Sequence, residues 1–291
     1  MKYEKPEEFD IESATWDWSG MAWGPMSGKP VLALHGWLDN AASFSGLGPL
    51  LAEKGYRVFA VDLPGHGGTP SRDDPYGYHF VDSVTAVAEL MDSLELKTVR
   101  LLGHSMGAGI ASLYAGTFPE RISHLALIEG LGPFSGVESE APARLRKHVD
   151  AVMALMEKTP PVYTAKDIPG LVKKRAAVGP LSEAGAAELI ERALTPIEDG
   201  PRGALTWRTD VRLKLPSAQR MTEAEILAFL KAIKAPTLLV LGEKGMAFEP
   251  ALAKGRQDVI KNLQLHRLPG GHHLHLDDPG PVSDLLARFL A

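Results

Sequence analysis

The run TVRLLGHSMGAGIASLYAG, residues 98–116, constrains the fold more than any other stretch. An apolar segment of strand character stops at a serine, and a small-residue segment of helical character begins at once. Gly103, Ser105 and Gly107 fit the pattern G-x-S-x-G. A serine presented at the tip of a strand-to-helix turn needs a sharp, strained backbone. The positions two before and two after it then press against neighbouring chain and tolerate only small side chains. Ala108, Gly109 and Ala111 let the new helix lie close to the strand layer. The first N–H groups of that helix, at its positive end, point to where an oxyanion would form. A glycine-flanked turn with no chemistry is the bland alternative, but the position between strand and helix favours an exposed nucleophile.

Around this junction, short β-rich runs alternate with helical periodicity, which predicts crossover units and a mostly parallel sheet. Strands are predicted in PVLALHG, ending at His35, and YRVFAVDLPGHG, ending at Asp62. Further ones lie in TVRLLGHS, ISHLALIEG (ending at Glu129), PTLLVLGEKG and LQLHRLPGGHH. EFDIESATWDWSGMAWG reads as a hairpin turning near Ser19-Gly20. Helices are expected in AASFSGLGPLLAEKG, closing on Gly55, in VDSVTAVAELMDSLEL and in the C-terminal PVSDLLARFLA. From Pro133 to Ile233 the alternation stops and only amphipathic stretches appear. One of them, TEAEILAFLKAI, opens with a Thr222-x-x-Glu225 capping box. The interval therefore reads as an all-helical insertion, residues 133–233, forming a cap over a core made of residues 1–132 and 234–291.

Composition narrows the partners. The chain has 291 residues and a net charge of −5, with no basic cluster dense enough for nucleic acid. No apolar stretch approaches the length of a membrane span, and the charged MKYEKPEEFD start lacks a secretory h-region. There are no cysteines, so disulfides, thiolate metal sites and cysteine nucleophiles are excluded together. A cytoplasmic protein acting on a small molecule, as monomer or homodimer, is the expectation.

These motifs resemble the α/β-hydrolase family over nearly all of the chain outside the cap. VLALHGW looks like the family's His-Gly oxyanion strand, DLPGHGGT its D-x-P-G-H-G loop, GHSMG its nucleophile elbow and GGHHLHLDDP its histidine loop. HGWLDNAASF together with GGHHLHLDDP is most similar to the serine hydrolase-like subgroup. The resemblance implies an α/β-hydrolase fold, with a mostly parallel eight-stranded sheet flanked by helices and an inserted lid. It implies Ser105 as nucleophile and the main-chain N–H groups of Trp37 and Met106 as oxyanion hole. It also implies His272 as base, selected over His273 and His275 by its spacing to Asp277 and Pro279. No cofactor is implied.

The resemblance departs at the triad acid. Most members carry aspartate in a G-x-x-D loop after the seventh strand, where this chain has Gly242-Glu243-Lys244-Gly245. A glycine cannot orient an imidazole or stabilise imidazolium. Glu129, a carboxylate at the end of the apolar run HLALIE, is the leading substitute, since charge there is costly unless paired. Some branches of the family carry the acid at this strand end. Glu243 and Glu249 are the alternatives, and a structural carboxylate is the bland reading of Glu129.

Serine at the elbow excludes the aspartate-nucleophile chemistries of this fold and points to acyl transfer from a carboxylic ester or thioester to water. Trp37, Leu38, Phe134 and Trp207 are candidate substrate-binding residues, with Leu155, Met153 and Met156 as further apolar candidates in the cap. Arg208 and Arg212 read more plainly as partners of nearby carboxylates than as substrate ligands. Two rivals remain. His273-x-His275-x-Asp277, extended by Asp278, matches a metal-binding pattern. A catalytically silent member binding a ligand or partner would explain the missing aspartate.

Overall fold

The computed structural model describes residues 5–73, 76–155, 161–179, 181–246 and 249–291. Its strands are β1 (Glu7–Glu12), β2 (Asp17–Trp23), β3 (Lys29–Leu34), β4 (Tyr56–Val61), β5 (Val99–His104), β6 (Ile122–Ile128), β7 (Leu194–Pro196), β8 (Leu205–Trp207), β9 (Thr237–Lys244) and β10 (Leu263–Gly271). The helices are α1 (Leu47–Ala52), α2 (Asp82–Ser93), α3 (Met106–Thr117), α4 (Ala141–Leu155), α5 (Ile168–Ala177), α6 (Glu183–Ala193), α7 (Glu223–Ala232), α8 (Pro250–Asp258), α9 (Leu274–Asp277) and α10 (Pro279–Phe289).

Eight strands form one sheet in the order β1-β2-β4-β3-β5-β6-β9-β10. The pairings β1/β2 and β2/β4 are antiparallel, and every later one is parallel. The central strands are continuous apolar runs because both faces are covered. On one face Leu32, Leu101 and Leu125 pack with Val87 and Leu90 of α2, Ile110 and Tyr114 of α3, and Ile226 and Leu230 of α7. On the other, Val31, Leu102 and Ala126 pack with Leu47 and Leu51 of α1 and Val282 and Leu286 of α10. Parallel strands place all their C-terminal ends along one edge, and β5 lies in the middle of it. That is where an open α/β sheet binds its ligand.

Two local expectations are corrected. The N-terminal hairpin turns at Ser13–Trp16, where the Ser13 N–H donates to Trp16 O at 2.9 Å, and not near Ser19-Gly20. Gly20 lies inside β2 opposite Phe9, and a Cβ there would meet Ala60 O at 2.5 Å. It is a glycine of close approach, not of a turn. The interval 133–233 is not all helical either, since β7 and β8 pair as an antiparallel ribbon. Each is three residues long, too short for a period-2 signal. At the end of the same interval, α7 carries the capping box, with Thr222 N donating to Glu225 Oε2 at 2.7 Å. No helix among the described residues is long and apolar enough to cross a membrane.

Candidate active site

Ser105 stands between β5 and α3 with φ 52° and ψ −112°. This is a strained state for a residue with a side chain, held in part by its N–H donating to Ile128 O at 2.9 Å. The two flanking glycines are explained by contact. A Cβ on Gly103 would lie 2.4 Å from Gly107 O, and one on Gly107 would lie 2.1 Å from Leu34 O. The bend exists because α3 starts pressed against the neighbouring strand.

His272 follows the end of β10. Its Nε2 lies 2.9 Å from Ser105 Oγ and its Nδ1 lies 3.0 Å from Glu129 Oε2. A carboxylate only accepts, so Nδ1 carries the proton and Nε2 is left as the acceptor facing the hydroxyl. Glu129 is fully buried at the end of β6, with φ 55°. Its Oε1 accepts from the Gly242 N–H at 2.6 Å and its Oε2 from the Met246 N–H at 2.7 Å. Burial opposes ionisation of Glu129, but the hydrogen bonds from His272 and these two amides outweigh it and hold the pKa below the ordinary value.

The glycine at position 245 acquires a reason. A Cβ there would lie 2.2 Å from Glu129 Oε1 and 2.3 Å from Oε2. The carboxylate from β6 fills the space that a side chain on the β9 loop would take. Glu249 instead caps α8, accepting from the N–H groups of Ala251 and Leu252.

Behind His272 lies a second polar group that the sequence reading missed. His104 Nε2–H donates to the main-chain carbonyl of His272 at 2.9 Å. Asp39 Oδ2 lies 3.2 Å from His273 Nε2 and 3.6 Å from His104 Nδ1, and Oδ1 accepts from Arg175 of α5. Burial opposes ionisation of Asp39, yet His273 and the Arg175 guanidinium beside it hold its pKa well below the carboxylate range. Burial of His104 pushes its own pKa down to about 4. Four separate segments supply these residues, and no local motif joins them.

The metal pattern proposed from sequence does not converge. His275 Nε2 faces Ser43 Oγ at 2.9 Å, Asp277 accepts from Ser182 N–H at the start of α6, and Asp278 precedes α10. Asp39, His104 and His273 do bring donor atoms within 4.8 Å of one another. The guanidinium of Arg175 touches both Asp39 and His273 there, so the buried carboxylate already has its cation. His35 and His66 brace loops. His35 Nδ1–H donates to Gly36 O at 2.7 Å and its Nε2 accepts from Leu63 N–H at 3.0 Å.

A cavity of about 950 Å³ opens above Ser105 and His272. Trp37, Leu38, Phe134 and Trp207 all line it. Trp37 is half exposed rather than a core aromatic, and its Nε1–H donates to Leu213 O at 2.9 Å. Leu38 adopts φ 60° in the same turn. Met106 also lines the cavity, at the first position of α3, where the helix leaves its N–H without an internal acceptor. Two expected pocket residues are elsewhere: Met153 faces solvent and Leu155 is absent from the wall, while Met156 lies outside the described residues. Arg208 is also off the wall, and Arg212 is forked onto Asp210 at 2.6–3.0 Å.

Comparison with known proteins bears on the family and the fold. A serine hydrolase-like protein of Dictyostelium discoideum is 32% identical over 99% of this chain and 82% of its own length. A hypothetical protein of Pseudomonas aeruginosa PAO1, known from its crystal structure, is 42% identical with a TM-score of 0.87 over 98% of both chains. The thioesterase domain from the curacin biosynthetic pathway is 26% identical with a TM-score of 0.84, over 97% of this chain and 99% of that one. The sequence profile of the α/β hydrolase fold matches residues 29–279. With so much of its length matched, the chain belongs to the α/β-hydrolase fold family and resembles its serine hydrolase-like members.

Proposed function

We propose that the protein hydrolyses a small carboxylic ester or thioester through an acyl-enzyme on Ser105. The observation that carries this reading is the continuous relay from Ser105 Oγ through the His272 ring to Glu129, with both contacts at 3.0 Å or less. As Oγ attacks the carbonyl carbon, His272 Nε2 takes its proton. The tetrahedral oxyanion collapses, the bond to the leaving group breaks, and the imidazolium returns the proton to the departing oxygen or sulfur. Water then repeats the sequence on the acyl-enzyme and releases the acid. Glu129 holds the Nδ1–H tautomer and stabilises the imidazolium. The N–H groups of Trp37 and Met106 receive the oxyanion, a role in which one donor contributes about 3–4 kcal/mol to the barrier. The interval 133–233 acts as the cap that shapes the acyl site.

The reading of a silent binding protein rested on the glycine at position 245, and Glu129 supplies the carboxylate that this glycine lacks. Labelling with a fluorophosphonate tests the proposal. The wild-type chain is expected to label at Ser105 and to hydrolyse p-nitrophenyl esters or acyl thioesters, with both properties lost in Ser105→Ala. A wild-type chain that neither labels nor turns over any of them overturns the reading.

A further inference from the structure

The cavity wall is charged in one sense. The chain as a whole carries −5, yet the wall holds five cations, Lys174, Arg175, Arg212, Lys214 and Arg220, against two carboxylates, Asp39 and Glu129. Both carboxylates are buried and committed, Asp39 to Arg175 and Glu129 to His272. Arg212 is committed to Asp210. Lys174, Lys214 and Arg220 are different. All three are exposed, and none has a carboxylate partner among the described residues. No exposed carboxylate among the described residues lines the wall beside them. These three come from α5 and from the segment 211–220. Lys214 follows Leu213, whose carbonyl holds the Trp37 indole, so this cationic segment is tied to the proposed oxyanion loop.

Unpaired charges of one sign along a concave wall add their fields and raise the local concentration of opposite charge. The lysine ammonium acts as a point charge and the arginine guanidinium as a fork, both suited to phosphate or carboxylate. Resting on the serine-hydrolase reading above, we propose that the substrate carries an anionic group remote from its scissile bond, held by Lys174, Lys214 and Arg220. The anion has two chemical sources: a phosphorylated leaving group, as in a coenzyme A thioester, or a free carboxylate at the far end of the acyl chain.

Two matched pairs separate the sources. Butyryl-CoA is compared with the butyryl thioester of N-acetylcysteamine, and the p-nitrophenyl monoester of glutarate with p-nitrophenyl pentanoate. The charged member of one pair is expected to show roughly tenfold or greater kcat/KM, a preference screened away in about 0.5 M NaCl. The charged-to-neutral ratio is expected to collapse in the Lys174→Gln/Lys214→Gln/Arg220→Gln protein, whatever happens to absolute rates. Equal kcat/KM within both pairs at low salt overturns the proposal, as does a preference indifferent to salt. Absence of all turnover and labelling strikes the Ser105 reading instead. Calorimetric titration of the wild-type chain with CoA and with glutarate then decides: salt-sensitive binding of either supports the anion site, and binding of neither at millimolar concentration overturns it.

Discussion

Glu129 combines a buried charge with a left-handed backbone, φ 55°, two features that a chain keeps only where the surroundings enforce them. Glu129→Gln is expected to lower kcat by about 10²–10⁴ while leaving the far-ultraviolet circular dichroism unchanged, because an amide neither fixes the tautomer nor offsets imidazolium charge. Near-normal turnover would move the acid's role to Glu243 or elsewhere. Ser105 and His272 were legible in the sequence because each sits in a short pattern with fixed offsets. Glu129 was legible more faintly, as a lone carboxylate ending an apolar strand. The Asp39–His104–His273–Arg175 group was not, since its meaning lies in contacts between segments far apart in the chain. The same holds for the fit between Gly245 and Glu129, which no spacing encodes.

The helix α6 shows how the segment above the sheet is fastened to it. Arg192 on α6 reaches Asp62, which is fully buried in the loop after β4, and the exposed Glu8 of β1. Asn40 Nδ2–H donates to Leu189 O of the same helix at 2.9 Å. Asp62 also accepts from the N–H groups of Ala41 and Gly68, which keep its oxygens satisfied but leave its charge to Arg192. Arg192→Met is therefore expected to cost about 3 kcal/mol in urea unfolding, because the buried carboxylate loses its cation. The Arg192→Met/Asp62→Asn double variant should recover part of that loss. A cost below about 1 kcal/mol for the single variant would show that Asp62 relaxes to solvent. At this scale the parallel strands and the helices of the core were readable from periodicity. The hairpin register failed because Gly20 has a packing role that resembles a turn signal. The β7–β8 ribbon failed because three-residue strands carry no pattern.

Across the whole molecule, neutral histidines are built into the sheet's C-terminal edge. Burial lowers His35, brings His66 down to about 3 and His104 to about 4, and lowers His275 well below its ordinary value. In the unfolded chain each titrates near pH 6.5, so between about pH 6.5 and 4 the unfolded state binds protons that the folded state refuses. Stability is thus full above about pH 6.5 and lost as pH falls through this window, by up to about 1.4 kcal/mol per pH unit for each such proton. Asp39 and Glu129, both depressed, add their losses only at lower pH, below their unfolded values. Urea midpoints at about pH 8, 6 and 5 check this, and a flat profile from about pH 7 to 5 would contradict it. The collision between Gly245 and Glu129 reaches further, into how such a chain changes over generations. Moving the acid to the β9 loop would take two mutations, one adding bulk and one removing it. Whichever came first would pass through an ancestor with two carboxylates crowding one imidazole or with none. Lineages should therefore hold one arrangement or the other, with few intermediates surviving between them.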